Sequence, residues 1–389
     1  MPMVVKKAAT SRLPAAAMCV ISFSVIAFAG TGSPTPDSGA VTVADFAGRK
    51  VSFNRPVKRI VMIRSRDIYE VSLLLEDELP EKLVAWGPDI QTADRDAYDK
   101  FVRRYPGLAD VPVLGSIFDD AVSAEKVLAL RPDLVIVETF MAERGYKSID
   151  RMQRAGLPLL FLDFEHDPFE CPQKSIELLG RVLGRERRAE EINAFVNTEL
   201  DKVFSRLDKL KGEPPKVYFE SGSSGPAAYG ATYGYNVEKP IAWGTVMHRL
   251  RCRNIADGVA PAMGAISPEF LLMADPDVIV ITGASWDRTD CVRLGYGGDA
   301  DDAREKLRAF TRRPGWDGLK AVRSGRIYSI FHGLCMHTID FAACQQLAKW
   351  FYPEDFADLN PEAALKEFHE RFMPVDYSGA WMIALKEQP

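Results

Sequence analysis

Basic residues are not in excess in this chain. It holds 49 Lys and Arg against 54 Asp and Glu among 389 residues, which gives a formal net charge of −5. Proteins that bind nucleic acid neutralise phosphates with surplus Lys and Arg, so this balance argues against nucleic acid as a partner. With 47% hydrophobic and 26% charged residues, the composition is that of a globular protein, and the length predicts about two domains.

The sequence signatures of common catalytic sites are also missing. The chain has no Gly-x-Ser-x-Gly elbow, no Walker loop and no His-Glu-x-x-His helix. The nearest match is GSSG at 222–225, which lacks the elbow spacing. We therefore expect no enzymatic activity.

Histidine is scarce, and this scarcity bears on metal binding. A bare metal ion needs three or four His, Cys or carboxylate ligands brought together. The chain has 5 histidines and no His-rich loop, and only His332 and His337 lie close in sequence. We predict no resident metal site, and a protein that binds bare metal ions is a disfavoured alternative.

The N-terminus is typical of a secretion signal. Basic residues precede an apolar run from Ala15 to Ala29 that ends in Ala-Phe-Ala, a pattern cut by signal peptidase. The run is about 15 residues, shorter than the roughly 20 that span a membrane. We expect residues 1–29 to be a cleavable signal peptide, residues 30–40 a flexible tether, and the mature protein periplasmic. Lipid attachment at Cys19 is less favoured, because Met18 is too large for a good lipoprotein cleavage site.

Five of the 6 cysteines follow this predicted signal. In an oxidising compartment, Cys252 and Cys291 form a possible disulfide, since both lie in the second half of the chain. The sequence alone leaves this pairing open.

A near-repeat indicates two similar lobes. Residues 124–137 read AEKVLALRPDLVIV, and residues 268–281 read PEFLLMADPDVIVI. In each, an apolar helical stretch ends at Pro-Asp and is followed by a continuous run typical of a buried parallel strand. The repeat predicts an α/β fold of two lobes with mainly parallel sheets.

Further strands and a linker complete the predicted organisation. Strands are predicted at 59–63, 82–87, 112–115, 158–164, 216–221, 278–283 and 326–331. Between the two sets of strands, a charged amphipathic stretch is predicted to form a long helix with a break near Gly184. The predicted units are an N-terminal lobe at 41–165, an interlobe helix at 166–211, a C-terminal lobe at 212–352 and a helical extension at 353–389.

Four segments, in order, resemble the substrate-binding proteins of ABC importers for ferric siderophores, haem and cobalamin. They are VADFAGRKVSFNRPVKRIVMI, VLGSIFDDAVSAEKVLALRPDLVIV, ISPEFLLMADPDVIVITG and GWDGLKAVRSGRIYSIFHG. The resemblance implies the class III periplasmic binding protein fold, a ligand in the cleft between the lobes, and no catalysis. It also implies a permease partner in the cytoplasmic membrane, a monomeric protein, and no cofactor except iron carried by the ligand. Glu70 falls where such proteins place a carboxylate for docking on the permease.

Candidate ligand contacts follow from the fold, because ligands meet the carboxyl ends of parallel strands. Two arginines in one such loop suit an anionic ligand, and a Gly-rich run with three tyrosines suits a large, partly apolar one. Trp243 either lines the cleft or packs beneath its helix. The candidates are Arg64, Arg66, Tyr69, Trp86, Ser116, Tyr229, Tyr233, Tyr235, Trp243, Trp286, Arg288, His332 and His337.

The predicted function is therefore the capture of a siderophore-like iron chelate for an ABC importer. Binding of haem or cobalamin is the alternative within the same family. A haem binder would use Tyr or His as an axial ligand to iron, and His332 or Tyr69 could serve.

Overall fold

A computed structural model describes residues 39–238, 240, 242–260, 263–286 and 288–386. The predicted signal peptide and most of the predicted tether lie outside these residues. The strands are β1 (Ala40–Ala44), β2 (Lys50–Asn54), β3 (Ile60–Met62), β4 (Leu83–Trp86), β5 (Leu134–Glu138), β6 (Leu159–Leu162), β7 (Lys216–Ser221), β8 (Arg253–Asn254), β9 (Val278–Gly283), β10 (Ile327–Phe331) and β11 (Met382–Ala384). The helices are α1 (Ile68–Leu75), α2 (Leu79–Lys82), α3 (Asp89–Ala93), α4 (Arg95–Arg104), α5 (Ala124–Ala129), α6 (Thr139–Glu143), α7 (Lys147–Arg154), α8 (Cys171–Leu183), α9 (Glu186–Leu207), α10 (Ala242–Arg249), α11 (Pro268–Ala274), α12 (Ala300–Phe310), α13 (Lys320–Ser324), α14 (Asp340–Phe351) and α15 (Pro361–Phe372).

The first lobe is built on a parallel sheet with strand order β4-β3-β5-β6. The central strand β5 reads LVIVE and is buried along its whole length, as its continuous β-branched run predicts. The strand predicted at 112–115 is reduced to one parallel bridge between Trp86 and Val113. The antiparallel pair β1-β2 precedes this sheet in the chain.

The second lobe repeats this plan with the order β11-β10-β9-β7-β8. Its strands run parallel except β11, which pairs antiparallel with β10. The C-terminal segment therefore contributes a strand to this sheet, which the purely helical prediction for 353–389 missed. The near-repeat is confirmed as α5 with β5 and α11 with β9, and Ser123 and Ser267 cap the two helices by accepting a backbone N–H.

Two helices, α8 and α9, link the lobes, with the predicted break between them. Gly184 ends α8 in the left-handed conformation at φ 70°, which glycine adopts without a Cβ clash. Along α9, apolar residues at helical spacing, including Ile192, Val196 and Val203, are buried in an apolar core shared with both lobes. Among the described residues, none of the helices combines the length and apolar character that crossing a membrane requires.

A buried ion pair fixes the second lobe beneath its ligand-facing edge. Arg313 binds both carboxylate oxygens of Glu220 at 2.6 and 2.9 Å, and the Tyr218 hydroxyl donates to the same carboxylate at 2.8 Å. The Arg313 and Glu220 side chains are 4% and 0% exposed. Removing one partner would leave the other charge buried and uncompensated, which is costly.

Arg313→Met is therefore expected to lower the free energy of unfolding by about 3–5 kcal/mol. Arg288→Met is the matched control, because Arg288 pairs with Asp290 at the surface, and an exposed pair contributes at most about 1 kcal/mol. Urea unfolding of both variants measures the difference. A loss below about 1 kcal/mol for Arg313→Met would contradict this assignment.

Candidate functional site

The loop after β3 in the first lobe meets the loop after β10 in the second. β10 passes directly into the short 3-10 turn His332–Cys335, and β3 is followed after two residues by the 3-10 turn Ser65–Asp67. Arg66 Nη1 lies 3.9 Å from Met336 Sδ, so side chains from the two turns reach across to each other. We call the space bounded by the loops after β3, β5, β6, β9 and β10 the interlobe cleft. It lies at the carboxyl ends of parallel strands, where α/β sheets bind ligands.

Arg64 is the centre of a buried ionic cluster in the first lobe. Its guanidinium lies 2.5 Å from Asp67, 3.3 Å from Glu138 and 2.6 Å from Glu165. These residues come from the loop after β3, the end of β5 and the loop after β6. The Arg64 side chain is 0% exposed. Its charge is paired within the protein, and contact of Arg64 with an anionic ligand stays a prediction.

Burial also changes the ionisation of this cluster. It raises the pKa of Asp67 from 3.8 to about 7, although the charge of Arg64 opposes the shift. Burial likewise raises the pKa of Glu138 well above its usual range, again against the effect of Arg64. Part of the acidic excess around Arg64 is therefore protonated near neutral pH.

Arg66 is the member of the predicted arginine pair that borders the cleft. Its Nε donates to Asp89 Oδ2 at 3.0 Å, and its side chain is 14% exposed. Asp89 also accepts from the Ser65 backbone N–H and hydroxyl at 2.8 and 2.9 Å, which fixes the loop. Arg66 is therefore held in position by Asp89 while part of its side chain stays accessible.

Glu70 joins the two lobes and is not a surface carboxylate. It accepts from the Thr338 backbone N–H at 3.0 Å and lies 3.2 Å from His337 Nδ1. Burial raises the pKa of Glu70 from 4.5 to about 8 and lowers that of His337 well below 6.5. Both groups are then neutral, and the Glu70 carboxyl can donate to Nδ1. Glu70 is 1% exposed, and its predicted role in docking on a permease stays a prediction.

Tyr69 and His337 likewise form an interlobe contact rather than an open wall. The two rings stack at 4.4 Å, and the Tyr69 hydroxyl donates to Asp94 at 2.8 Å. Tyr69 also stacks on Tyr296 of the second lobe at 6.1 Å. Both Tyr69 and His337 are buried. The structure therefore gives these two predicted ligand contacts a role in holding the lobes together.

The second-lobe side of the cleft is formed around His332. Its Nδ1 lies 3.0 Å from the Thr282 hydroxyl, at the end of β9. Its ring lies 5.5 Å from Trp286 and 6.2 Å from Tyr233. His332 and Trp286 are half-buried, whereas Tyr233 is buried. Burial, with a smaller effect of Arg66, lowers the pKa of His332 from 6.5 to about 4, so this imidazole is neutral.

The other predicted contacts lie apart from this group. Trp86 and Trp243 are fully buried; Trp243 packs on Phe219 at 4.8 Å, so it lies beneath its helix. Because an aromatic residue after a strand suits a core as well as a cleft, the sequence did not separate these cases.

Three more candidates are occupied by local partners, and Ser116 is half-buried in its loop. Tyr229 accepts from the Trp316 indole N–H at 3.1 Å. Tyr235 stacks on His248 at 3.7 Å. Arg288 pairs with Asp290 at 2.8 Å in an exposed position. The structure does not bring these four together with Arg66 and His332.

Comparison with known proteins identifies the chain. The model of the family described as "Periplasmic binding protein" matches residues 75–331, which is more than half of the sequence. This chain belongs to the periplasmic binding protein family.

Individual relatives agree with this assignment. The TroA-like periplasmic binding protein FepB from Veillonella parvula is 34% identical, with a TM-score of 0.81 over 89% of this chain and 100% of that one. The uncharacterized ABC transporter substrate-binding lipoprotein YvrC of Bacillus subtilis is 23% identical over 86% of this chain and 96% of its own. The high-affinity heme uptake protein IsdE of Staphylococcus aureus is 25% identical over 66% of this chain and 79% of its own. The chain is thus a substrate-binding protein of the ABC-transporter class, with the class III fold predicted from its sequence.

Sequence reasoning missed two carboxylates of this periplasmic binding protein's cleft. Glu138 ends β5, and Glu165 follows β6 by three residues. The same strand-end rule that selected Arg64 and His332 would have selected both, since each follows a predicted strand directly. Their pairing with Arg64, however, depends on the packing of three neighbouring strand ends.

Neither a disulfide nor a metal-binding cluster is found among the described residues. The possible disulfide between Cys252 and Cys291 is not formed, and each thiol instead lies near a backbone carbonyl, of Met247 and Ser223 respectively. Among the described residues, no cluster of three or more His, Cys, Asp or Glu side chains has the arrangement to hold a metal ion.

The interlobe contact of Glu70 predicts a pH dependence of stability. The folded protein keeps the Glu70 proton up to about pH 8, whereas the unfolded chain releases it near 4.5. Glu70 therefore makes the free energy of unfolding fall as pH rises from about 4.5 to about 8. Glu70→Gln removes this dependence. As pH rises between these values, the free energy of unfolding of the variant should increase relative to wild type by a few kcal/mol. One unit of pKa difference corresponds to about 1.4 kcal/mol.

Urea unfolding of wild type and Glu70→Gln at several pH values measures this gain. Glu191→Gln, which removes an exposed carboxylate on α9, controls for the loss of one charge. Parallel curves for wild type and Glu70→Gln would show that Glu70 is ionised in the folded protein.

Proposed function

We propose that this chain is the extracytoplasmic substrate-binding protein of an ABC importer and captures a siderophore-type iron chelate in the interlobe cleft. The monomeric protein would act in the periplasm, reach it through the N-terminal signal peptide, and deliver the chelate to a permease in the cytoplasmic membrane. Membership of the periplasmic binding protein family and the similarity to FepB and YvrC support the transport role. The chelate itself is a finer assignment that depends on the cleft.

One observation carries this assignment: Arg66 of the first lobe contacts Met336 at 3.9 Å, four residues after His332 in the second lobe. The charge of Arg66 is near enough to contribute to the lowered pKa of His332. Beside them, the half-buried Trp286 supplies an aromatic surface. In a siderophore complex, the chelator's own oxygens hold the iron. The protein then needs to supply hydrogen-bond donors and apolar surface, as these three side chains do.

Haem is the second candidate, because IsdE is named as a heme uptake protein and the neutral His332 is a chemically suitable axial ligand. The hydrogen bonds around Thr282 are compatible with either ligand. The Thr282 hydroxyl accepts from the Gly222 N–H at 3.4 Å and lies 3.0 Å from His332 Nδ1. With the ring proton on Nε2, His332 can donate to a chelate oxygen; with the proton on Nδ1 and donated to the Thr282 hydroxyl, Nε2 is free to coordinate iron.

Ligand titration tests this proposal. We expect a ferric siderophore to quench tryptophan fluorescence with a Kd of about 1 μM or tighter, with haemin, cobalamin and ferric ion alone binding more weakly. Trp286→Phe should lose much of the quenching while equilibrium dialysis still detects binding. Quenching by haemin alone would overturn the assignment to iron chelates, and binding of bare ferric ion alone would favour the metal-ion alternative.

The role of Arg66 gives a second test. Arg66→Ala should weaken chelate binding about tenfold or more, the loss expected for a hydrogen bond from a charged donor. Arg66→Lys keeps a partner for Asp89 and controls for collapse of the loop. Arg187→Ala removes a highly exposed side chain on α9 and should leave chelate binding unchanged. Wild-type affinity in Arg66→Ala would remove this residue from the site.

A further inference from the structure

Arg64 and Arg66, the two arginines of the loop after β3, are each paired with carboxylates of the protein. Arg64 lies within 3.3 Å of three carboxylates, those of Asp67, Glu138 and Glu165. Arg66 is paired with Asp89 at 3.0 Å. Even where Asp67 and Glu138 hold protons, Glu165 lies 2.6 Å from Arg64 and Asp89 lies 3.0 Å from Arg66. The first-lobe wall is therefore neutral to acidic.

Glu165 is the most exposed carboxylate of the Arg64 cluster. Its side chain is 10% exposed, compared with 0% for Arg64 and Glu138 and 1% for Asp67. Burial and then the negative charge of Glu165 raise the pKa of Cys335 in the second lobe, so Glu165 acts across the cleft.

Both backbone polar groups of Glu165 make hydrogen bonds that fix its position. Its N–H donates to Asp163 Oδ1 at 3.0 Å, and its carbonyl accepts from the Ala242 N–H at 2.6 Å. Because Ala242 begins α10 of the second lobe, the loop is fixed between the lobes. Arg64 donates to the Glu165 carboxylate at 2.6 Å. This ion pair restricts the Glu165 side chain to its present position when a ligand binds.

On the second-lobe side of the cleft, none of the described candidate residues supplies a positive charge that could offset the charge of Glu165. His332 is neutral, as its lowered pKa shows. Trp286 and Tyr233 are uncharged, and Arg288, two residues after Trp286, is paired with Asp290 and exposed. A ligand in the cleft therefore meets hydrogen-bond donors and aromatic rings without net positive charge.

We propose that the cleft selects an uncharged, oxygen-rich iron chelate over a polyanionic one, with Glu165 as the carboxylate that determines this specificity. The inference rests on the proposed function and narrows its ligand class. A polyanion placed beside Glu165 would meet like charge without a free cation to offset it, which disfavours binding. An uncharged chelate escapes this repulsion and still accepts hydrogen bonds from Arg66 and His332.

Two ferric chelates of similar size but different charge test the proposal. An uncharged ferric trihydroxamate and a trianionic ferric tricatecholate are titrated against the full-length mature protein by fluorescence. We expect the trihydroxamate to bind at least about tenfold more tightly. Glu165→Gln keeps an acceptor for Arg64 and should reduce this preference several-fold, chiefly by strengthening binding of the tricatecholate.

A control variant and a salt dependence test whether the charge of Glu165 causes the preference for the trihydroxamate. Glu170→Gln removes an exposed carboxylate that is paired with Lys174, and it should leave the preference unchanged. High salt should narrow the wild-type preference, because it screens repulsion between charges; this measurement does not depend on folding of the Glu165 variant. Equal or tighter wild-type binding of the tricatecholate, or an unchanged preference in folded Glu165→Gln, would overturn the inference alone. Binding of neither chelate would overturn the proposed function as well.

Discussion

The buried guanidinium of Arg64 is the constraint on which the cleft depends. A cation with a side chain that is 0% exposed is stable only if carboxylates surround it, because an isolated charge in the interior loses its hydration. Its partners come from the loops or ends of three neighbouring strands. The cluster therefore fixes the carboxyl-terminal edge of the first sheet and sets the position of Glu165 at the cleft.

A second set of contacts determines how the lobes meet. Glu70 with His337 and Thr338, and Tyr69 on His337, join the loop after β3 to the loop after β10. The close approach extends to Gly297, where a Cβ atom would lie 2.6 Å from the Asp96 carboxylate. Arg293 pairs with that same carboxylate through its Nε at 3.0 Å. Together with the helices α8 and α9 and the shared core, these contacts favour a stiff two-lobed molecule.

The fold was readable from local patterns. Continuous apolar runs after Pro-Asp predicted β5 and β9, and the break at Gly184 predicted the division between α8 and α9. The predicted strand at 112–115 and the missed β11 are edge positions, where pairing depends on a distant partner more than on the sequence of the strand itself.

The site was only partly readable, and the reason is physical. Strand-end position predicted Arg66, Trp286 and His332 as ligand contacts; the structure places Trp286 5.5 Å from His332, and the charge of Arg66 contributes to the lowered pKa of His332. The same rule does not say whether a charged side chain turns toward a ligand or pairs inside the protein. Arg64 and Glu70 illustrate this, since their burial follows from partners far away in sequence, Glu165 and His337.

The central claim is that ligand binds between Arg66 of the first lobe and His332 of the second. A crystal structure of the protein grown with an uncharged ferric trihydroxamate tests it most directly. The account predicts the chelate in the interlobe cleft, with oxygens within hydrogen-bond distance of both side chains and its apolar part against Trp286. A chelate bound elsewhere, for example in the groove lined by Tyr235 and Val259, with Arg66 and His332 untouched, would contradict it.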